Sequence, residues 1–566
     1  MLRRLGRAVL SLLAVVTLTG PAAAAAAAPA PLELVLTPKP QQGRLAVRMT
    51  LAAPDLAPGA GLVRLPLTLV GIPSARYDGD ALQARDDLGG LPLVQAEEPP
   101  TPQGVYRRWS VTRPTKGDVV VTYEAPPRAV TAATNNGPLF DLRQEAGGFA
   151  GAGVGFLATP VADGPWKVRL RWDLSASPPG SRGAWTYGEG PVEIVLPSQA
   201  LSFSYYAAGP LKSHPPDPKG FSLYWLGEPP FDAPALGARI ESLFKPMSAF
   251  FGDEGGAYRV FMRQNPYKGM GGSALGRSFM FGYHPPARPG IDDLQGLIAH
   301  EMAHNWPRMQ GEHGETAWYS EGMAEYYSVL LSHRAGLLPP DRLLKTLNDK
   351  AAAYYSNPYR DLSNVEGAKR FWTDPIAQTI PYGRGFFYLL NTDAAIREAS
   401  GGRRSLDDVA KAMRRRDVAG QTYGLADWLA LVGAEIGVER ARRDYERMAA
   451  GGLLVPAPRF APCFKVTPRA SRAFELGFAR ASLNDDRVVR GLQPGSAAAE
   501  AGLREGDVLT EVGDIDAVRK DETAPLRLVV GRGGESRTIT YLPRGPAREG
   551  YAFARDPAAP AESCQF

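Results

Sequence analysis

A multidomain α+β architecture follows from three features of the sequence. At 566 residues the chain exceeds what one hydrophobic core organises, so about two to four domains are expected. Residues 31–200 carry repeated period-two alternation, the pattern of half-buried strands. Residues 340–455 carry helical spacing instead, and between the two lies a mixed region. The expected division is 1–28 as a leader, 29–228 as an N-terminal β domain, 229–460 as a mixed and then helical domain, and 461–566 as a small C-terminal domain with its tail.

The leader is read from Met1 to Ala28. Arg3, Arg4 and Arg7 form a basic start, Ala8–Gly20 an apolar core and Ala22–Ala28 a small-residue cleavage zone. The protein is therefore expected to be exported, periplasmic or secreted, and no later run approaches the length of a membrane helix. Formal charge is +5, and three of those charges belong to the leader, leaving +2 (5 − 3). That balance gives no electrostatic footprint for nucleic acid.

In the β domain, Leu45, Val47, Met49 and Leu51 alternate with Arg44, Ala46, Arg48 and Thr50, and Trp166, Val168, Leu170 and Trp172 alternate likewise. With Pro and Gly between such runs, a β-sandwich or saddle is expected. Segment 201–230, rich in Pro, Gly and Ser, reads as a link. Beyond it Ala233–Phe251 has helical spacing, and Tyr258–Arg263 and Ser278–Tyr283 read as strands. Between those strands, Lys268-Gly-Met-Gly-Gly-Ser273 reads as a loose segment that a backbone could approach closely.

The stretch Asp292–Trp306 centres on His300-Glu301-Met302-Ala303-His304. Leu294, Leu297 and Ile298 are helically spaced, so a helix is expected. Histidines four apart on a helix stand on one face, and both imidazoles can reach one metal ion. Glu301 then faces the ion's open position, where it can take a proton from water. Trp318–Tyr327 reads as a second helix, with Glu321 17 residues past His304 (321 − 304) as third ligand. A third histidine six residues after the second is ruled out, because Pro307 and Gln310 stand where that pattern needs glycine and histidine. His313 and Glu315, in the connecting loop, are rival ligands, and a loop does not preset ligand geometry.

His-Glu-x-x-His-x-Trp followed by Trp-x-x-Glu-Gly-x-Ala-x-Tyr-Tyr resembles the glycyl aminopeptidase family of zinc peptidases. Tyr382-Gly-Arg384-Gly385 resembles the family's Tyr-x-Lys-Gly segment, with Arg384 in the lysine's place, and Ser400–Val409 resembles the helix start after it. The resemblance spans about 230–545. It implies a thermolysin-like catalytic domain with a helical C-terminal part, a zinc ion (Zn2+) on His300, His304 and Glu321, Glu301 as general base, Tyr382 steadying the tetrahedral intermediate, and peptide or protein substrates. Family members usually carry Gly-Gly-Leu-Glu-His before the metal helix, whose glutamate holds the substrate's free amine. Here Ala274 and Leu275 replace Glu and His in Gly271-Gly-Ser-Ala-Leu275, so weak or no aminopeptidase preference is expected, and exo- against endopeptidase action stays open.

Residues 465–545 resemble a PDZ domain. Glu475-Leu476-Gly477-Phe478 resembles its carboxylate-binding loop, and Val488–Leu509 the strand, helix and Gly-Asp turn that follow. The resemblance implies either a C-terminal peptide ligand taken up by strand addition or a domain that only packs on the catalytic unit. The two cysteines, Cys463 and Cys564, bracket this domain, and in an oxidising compartment a disulfide between them is expected. The alternative function is an exported peptide-binding protein with a weak or inactive peptidase domain. Glu301 argues against it, since a binder needs no base.

Overall fold

The computed structural model describes residues 28–101, 104–134, 137–162, 164–253, 255–458, 463–483 and 486–559. The leader, Ala28 apart, lies outside the described residues, as does Cys564. Among the described residues no helix is long and apolar enough to cross a membrane.

The alternating runs form strands, as their pattern requires. Arg44–Leu51 buries Leu45, Val47, Met49 and Leu51 while the residues between them stay accessible. It pairs antiparallel with Ala30–Lys39, setting Leu34 opposite Met49 and Leu36 opposite Val47. Both belong to a seven-stranded sheet with edges Val192–Pro197 and Gly89–Leu91. Two five-stranded sheets complete this β-rich part, and one core shared by the sheets includes Trp109, Trp166 and Trp185.

Segment 201–230 carries three strands as it passes from an N-terminal sheet to the next one. Tyr205–Gly209 lies inside an N-terminal sheet, while Lys212–His214 and Phe221–Trp225 begin the next one. Its aromatic and apolar residues supply the burial that its Pro and Gly content obscured: Tyr205, Leu223 and Tyr224 are all buried. The next sheet runs Lys212–His214, Phe221–Trp225, Tyr258–Gln264, Ser278–Tyr283, Gly271–Ala274. Its middle three strands are parallel, and the edge strand Gly271–Ala274 returns antiparallel. The glycine-rich stretch expected to be loose is thus partly an edge strand, because pairing with Ser278–Tyr283 overrides the weak strand preference of glycine.

Partly buried polar bonds fix this edge strand to the β domain. Tyr205 Oη donates to the Ser273 carbonyl at 2.8 Å, and the Leu139 amide donates to Ser273 Oγ at 3.0 Å. Arg263 meets Asp141 at 2.6 Å with both side chains buried. The Arg263 and Arg143 charges outweigh burial and hold the Asp141 carboxyl below its usual range.

Residues 340–449 are largely helical, as their spacing predicts. Ser405 caps Leu406–Val418 and Asp408 answers the Ser405 amide at 2.9 Å, a capping box. The PDZ-like part has its own small core around Leu476, Phe478, Val489, Leu509, Leu528 and Val530. Cys463 is buried and disulfide-bonded. The strand Tyr551–Arg555, paired with Phe464–Pro468, lies against the helix Pro340–Ser356. There Phe553 stacks on Phe387 with ring centroids 6.3 Å apart, and Tyr551 meets Tyr355 at 5.6 Å. Asn348 pairs with the Phe553 backbone through both amide atoms, at 2.9 and 2.8 Å.

Candidate metal centre

The metal-binding sequence forms the helix Ile291–Ala303. The Gly290 amide donates to Asp293 at 2.9 Å, and Asp292 and Asp293 in the first turn complement the helix dipole. Leu294, Ile298 and Met302 face the core, which leaves His300 and His304 on the cleft side. The helix ends at His304, and Trp306 anchors the exit. It stacks on Phe251 at 5.2 Å and Tyr258 at 6.2 Å, and its indole donates to Asp253 at 2.8 Å.

The second helix, His313–Arg334, starts five residues earlier than its apolar spacing suggested (318 − 313). Glu312 stands at its N-terminus, its carbonyl accepting from the Thr316 amide and hydroxyl at 3.1 Å each. His313 and Glu315 therefore sit in a first helical turn, not a loop. His313 lines the cleft, Glu315 points to solvent, and neither joins the ligand cluster.

The structure brings His300, His304 and Glu321 together, with one ligand atom from each inside 4.8 Å. The two Nε2 atoms are 3.0 Å apart, and Glu321 Oε2 lies 3.3 and 3.4 Å from them. Glu321 Oε2 is buried and has no hydrogen-bond partner. Two imidazole nitrogens and one carboxylate oxygen converging on a point, one of them a buried orphan, is a donor set that fits zinc. On its far side His300 Nδ1 lies 2.9 Å from Glu325 Oε1, and Lys350 pairs with the other Glu325 oxygen. Burial alone would lower the His300 pKa, but Glu321 and Glu325 hold it up at about 10, a measure of the negative field at this point. Burial would raise Glu325, but Lys350 and His300 hold it at about 2, so it stays ionised. A carboxylate behind a histidine fixes the ring's orientation and raises its basicity.

Glu301 is buried beside this cluster, and burial raises its carboxyl pKa against the pull of His300 and His304. It lies flat on the edge strand. A Cβ at Gly272 would sit 2.4 Å from Glu301 Cγ, so only glycine admits the carboxylate there.

Tyr382 stands on the helix Ile380–Ser400, its ring stacked on His300 at 5.6 Å and 10°. Two glycines bring it there. A Cβ at Gly385 would lie 2.0 Å from the Trp318 carbonyl and one at Gly322 would lie 2.5 Å from Gly385 Cα, so the two helices touch backbone to backbone. Burial, then the Glu321 and Glu301 charges, raise the Tyr382 pKa well above its ordinary value, so its hydroxyl stays a donor. Arg384 does not reach the site. It is buried, donating to Asn364 Oδ1 at 2.7 Å and to the Arg360 carbonyl at 2.8 Å, and so holds the loop that leads into the earlier helix Asn364–Arg370.

A cleft of about 1110 Å³ is lined by His300, Glu301, His304, Glu321, Glu325 and Tyr382. Gly137, Pro138 and Phe140 of the β domain form one wall. Glu325, Lys350 and Gly272 were not singled out from sequence. Glu325 carried one signal, its place four residues after Glu321 on the same helix face. Lys350 carried none.

In the C-terminal part, Leu476 and Phe478 are buried in the small core, and the Leu476 carbonyl accepts from Tyr541 Oη at 2.7 Å. Gly477 is left-handed, with φ of 81°, and a Cβ there would meet Ser496 Oγ at 2.7 Å. The Gly506-Asp507 turn is locked by Arg532, which donates twice to buried Asp507 at 2.7 Å. Beyond the loop the chain turns into a 3-10 helix, Arg480–Leu483, where strand addition would call for an extended partner.

Residues 293–379 match the model of the M61 glycyl aminopeptidase family, and residues 488–542 that of a PDZ domain. No curated protein matches the chain in sequence. Among solved structures, an aminopeptidase N family protein from Idiomarina loihiensis is similar, with 16% identity and a TM-score of 0.68, covering 94% of this chain and 99% of that one. Native leukotriene A4 hydrolase from Saccharomyces cerevisiae is matched at 15% identity and a TM-score of 0.47, over 76% of this chain and 68% of that one. The first of these shows the fold, a β-rich domain followed by a mixed catalytic domain with a helical C-terminal part. The chain carries a glycyl aminopeptidase segment and a PDZ domain, and its class is metallopeptidase.

Proposed function

We propose that this metallopeptidase hydrolyses peptide bonds with zinc held by His300, His304 and Glu321 and with Glu301 as general base. The observation that carries the reading is the convergence of those three ligand atoms within 4.8 Å, beside a buried carboxylate that a glycine admits. When bound there, zinc would supply Lewis-acid polarisation of a water and of the substrate carbonyl. Glu301, its affinity for protons raised by burial, takes the proton of the attacking water and passes it to the leaving amine. Tyr382, still protonated, donates to the carbonyl oxygen as negative charge develops there. Glu325, neutralised by Lys350, keeps the His300 ring in place.

The site offers little hold for a substrate amine. Ala274 is half-buried and Leu275 buried, and neither carries charge. Of the other carboxylates lining the cleft, Asp292 pairs with Arg342 at 2.9 Å, Asp349 with Lys345 at 2.6 Å and Asp293 accepts from the Gly290 amide at 2.9 Å, while Glu325 serves His300. These pairings support cleavage with weak or no preference for a free N-terminus. The PDZ domain supports a second role, capture of a peptide C-terminus at Glu475, Leu476, Gly477 and Phe478.

The test is mass spectrometry of a peptide mixture incubated with protein and zinc, alongside Glu301→Gln. One zinc per chain, zinc-dependent cleavage and a Glu301→Gln variant that keeps its zinc while losing turnover by about a hundredfold or more are expected. Full activity in Glu301→Gln, or no cleavage by the zinc-loaded parent, refutes the reading.

A further inference from the structure

The cleft extends well beyond the metal ligands. Along the metal helix its lining runs from Asp292 to His304, 12 residues (304 − 292) or about 18 Å at ~1.5 Å per residue. That length takes about five residues of extended chain. Its two ends differ in chemistry. At the Asp292 end stand charged side chains already paired with each other, Asp292 with Arg342 and Lys345 with Asp349. At the His304 end stand three rings in mutual contact. His313 lies 4.7 Å from Phe371 and 5.1 Å from Trp372, and Phe371 lies 4.6 Å from Trp372.

These rings are not simply core. Phe371 is buried and backs the group, but Trp372 is 36% exposed and lines the cleft. His313 is stacked on Trp372 at 28° and lies near enough to Glu321 and His304 to feel both charges. Burial holds its imidazole below the usual pKa, so the shelf is uncharged near neutral pH. An indole left partly in water beside a hydrolytic centre gains contact area when a flat apolar group covers it.

We propose that His313, Phe371 and Trp372 form a subsite that seats an aromatic side chain of the substrate, beside the scissile bond on the His304 side. The proposal rests on the peptidase reading above and names the substrate class of that site. The enzyme selects polypeptide segments with a Phe, Tyr or Trp at one fixed position from the cut. Trp372 sets that selectivity by ring contact, and His313 and Phe371 hold the indole.

The experiment uses the full chain loaded with zinc and peptides blocked at both ends by acetyl and amide groups. One sequence is varied by moving a single Phe along it, each peptide matched with an Ala twin. Cuts should track the Phe at a constant offset, with kcat/KM about ten- to a hundredfold above the Ala twin, the range expected for burying one aromatic ring. Trp372→Ala should collapse that ratio to within about twofold at unchanged zinc content, and Trp372→Phe should restore most of it, a rescue that a merely structural role would not give. Cuts that ignore the Phe, or a ratio that survives Trp372→Ala, overturn the proposal while leaving the peptidase reading intact. If the zinc-loaded parent cuts none of the blocked peptides and none of their unblocked counterparts, the peptidase reading fails, and equilibrium binding to zinc-loaded Glu301→Gln then decides the shelf, as it does if only unblocked peptides are cut. Tighter binding of the Phe peptide that is lost on adding Trp372→Ala upholds it, and equal binding of the twins overturns it.

Discussion

Replacing Gly272 by alanine tests the link between the edge strand and the general base. The added Cβ would lie 2.4 Å from Glu301 Cγ, 2.5 Å from Cδ and 2.7 Å from Oε1. Carbon atoms in ordinary contact are ~3.5 Å apart, so the carboxylate or the strand must move by about 1 Å. The strand is poorly placed to yield, because Ser273 is held by Tyr205 and by the Leu139 amide. Glu301 is buried and has little room to swing. A catalytic group displaced by about 1 Å loses on the order of a hundredfold in rate. Overpacking should also cost about 1–3 kcal/mol of stability. The nearest atoms to the added Cβ all belong to Glu301 and none to His300, His304 or Glu321, so zinc content should be unchanged. The assay is kcat/KM on a cleaved peptide, with metal analysis and thermal unfolding as controls. A folded, zinc-replete Gly272→Ala protein with more than half the parent kcat/KM would show that the contact does not position Glu301.

Three further outcomes follow from the structure. A free-amine peptide and its N-acetylated twin should be cleaved within about tenfold of each other, since the charge-assisted contact that would separate them is missing; abolition by acetylation refutes this. Residues 461–566 within the full chain should bind a free-carboxylate peptide more tightly than its amidated twin, measured by titration, and equal binding of both leaves the domain as packing alone. Burial raises the Glu145 carboxyl to about 7 against the Gln264 amide and the charges of Arg263 and Arg143. The folded state then holds this proton more tightly than the unfolded chain does, so its contribution is fully present below about pH 4.5 and is lost as pH rises to about 7. The loss is at most about 3 kcal/mol. Glu145→Gln keeps an acceptor for the Gln264 amide, and its denaturant-unfolding stability should lack this decline; parallel pH curves for variant and parent refute the assignment.

The metal centre was legible where chemistry is local. His300, Glu301 and His304 lie within five residues, and the helix that presents them is written in Leu294, Leu297 and Ile298. Glu321 was readable from its place on a second helix soon after His304, Tyr382 needed the resemblance, and the structure sets both against His300. What the sequence could not show are the pairings between remote segments. Lys350 reaches Glu325 across 25 residues and two helices, and nothing in either neighbourhood marks them as partners. Gly271–Ala274 has the composition of a loop and becomes a strand only because Ser278–Tyr283 is there to pair with it. The strands within segment 201–230 were hidden for the same reason, being fixed by the sheets on either side. Trp372 looked like any tryptophan of a helical region, since exposure within a cleft leaves no mark in the order of residues.

The strand Tyr551–Arg555 has a consequence for how this protein comes to exist. The helix Pro340–Ser356 has Lys350 on the cleft and Leu343, Leu347 and Tyr355 in the core, and Asn348 is bonded to Phe553. While the nascent chain is still short of residue 551, Tyr355 and Phe387 have each other but not the Tyr551 and Phe553 rings, and both ends of the Asn348 amide lack the Phe553 backbone. The helix that holds Lys350 against Glu325 thus acquires this support only once residues 551–555 are in place. A chain cut before residue 551 accordingly loses the strand that braces the helix bearing Lys350, one step removed from the His300 ring that Glu325 orients.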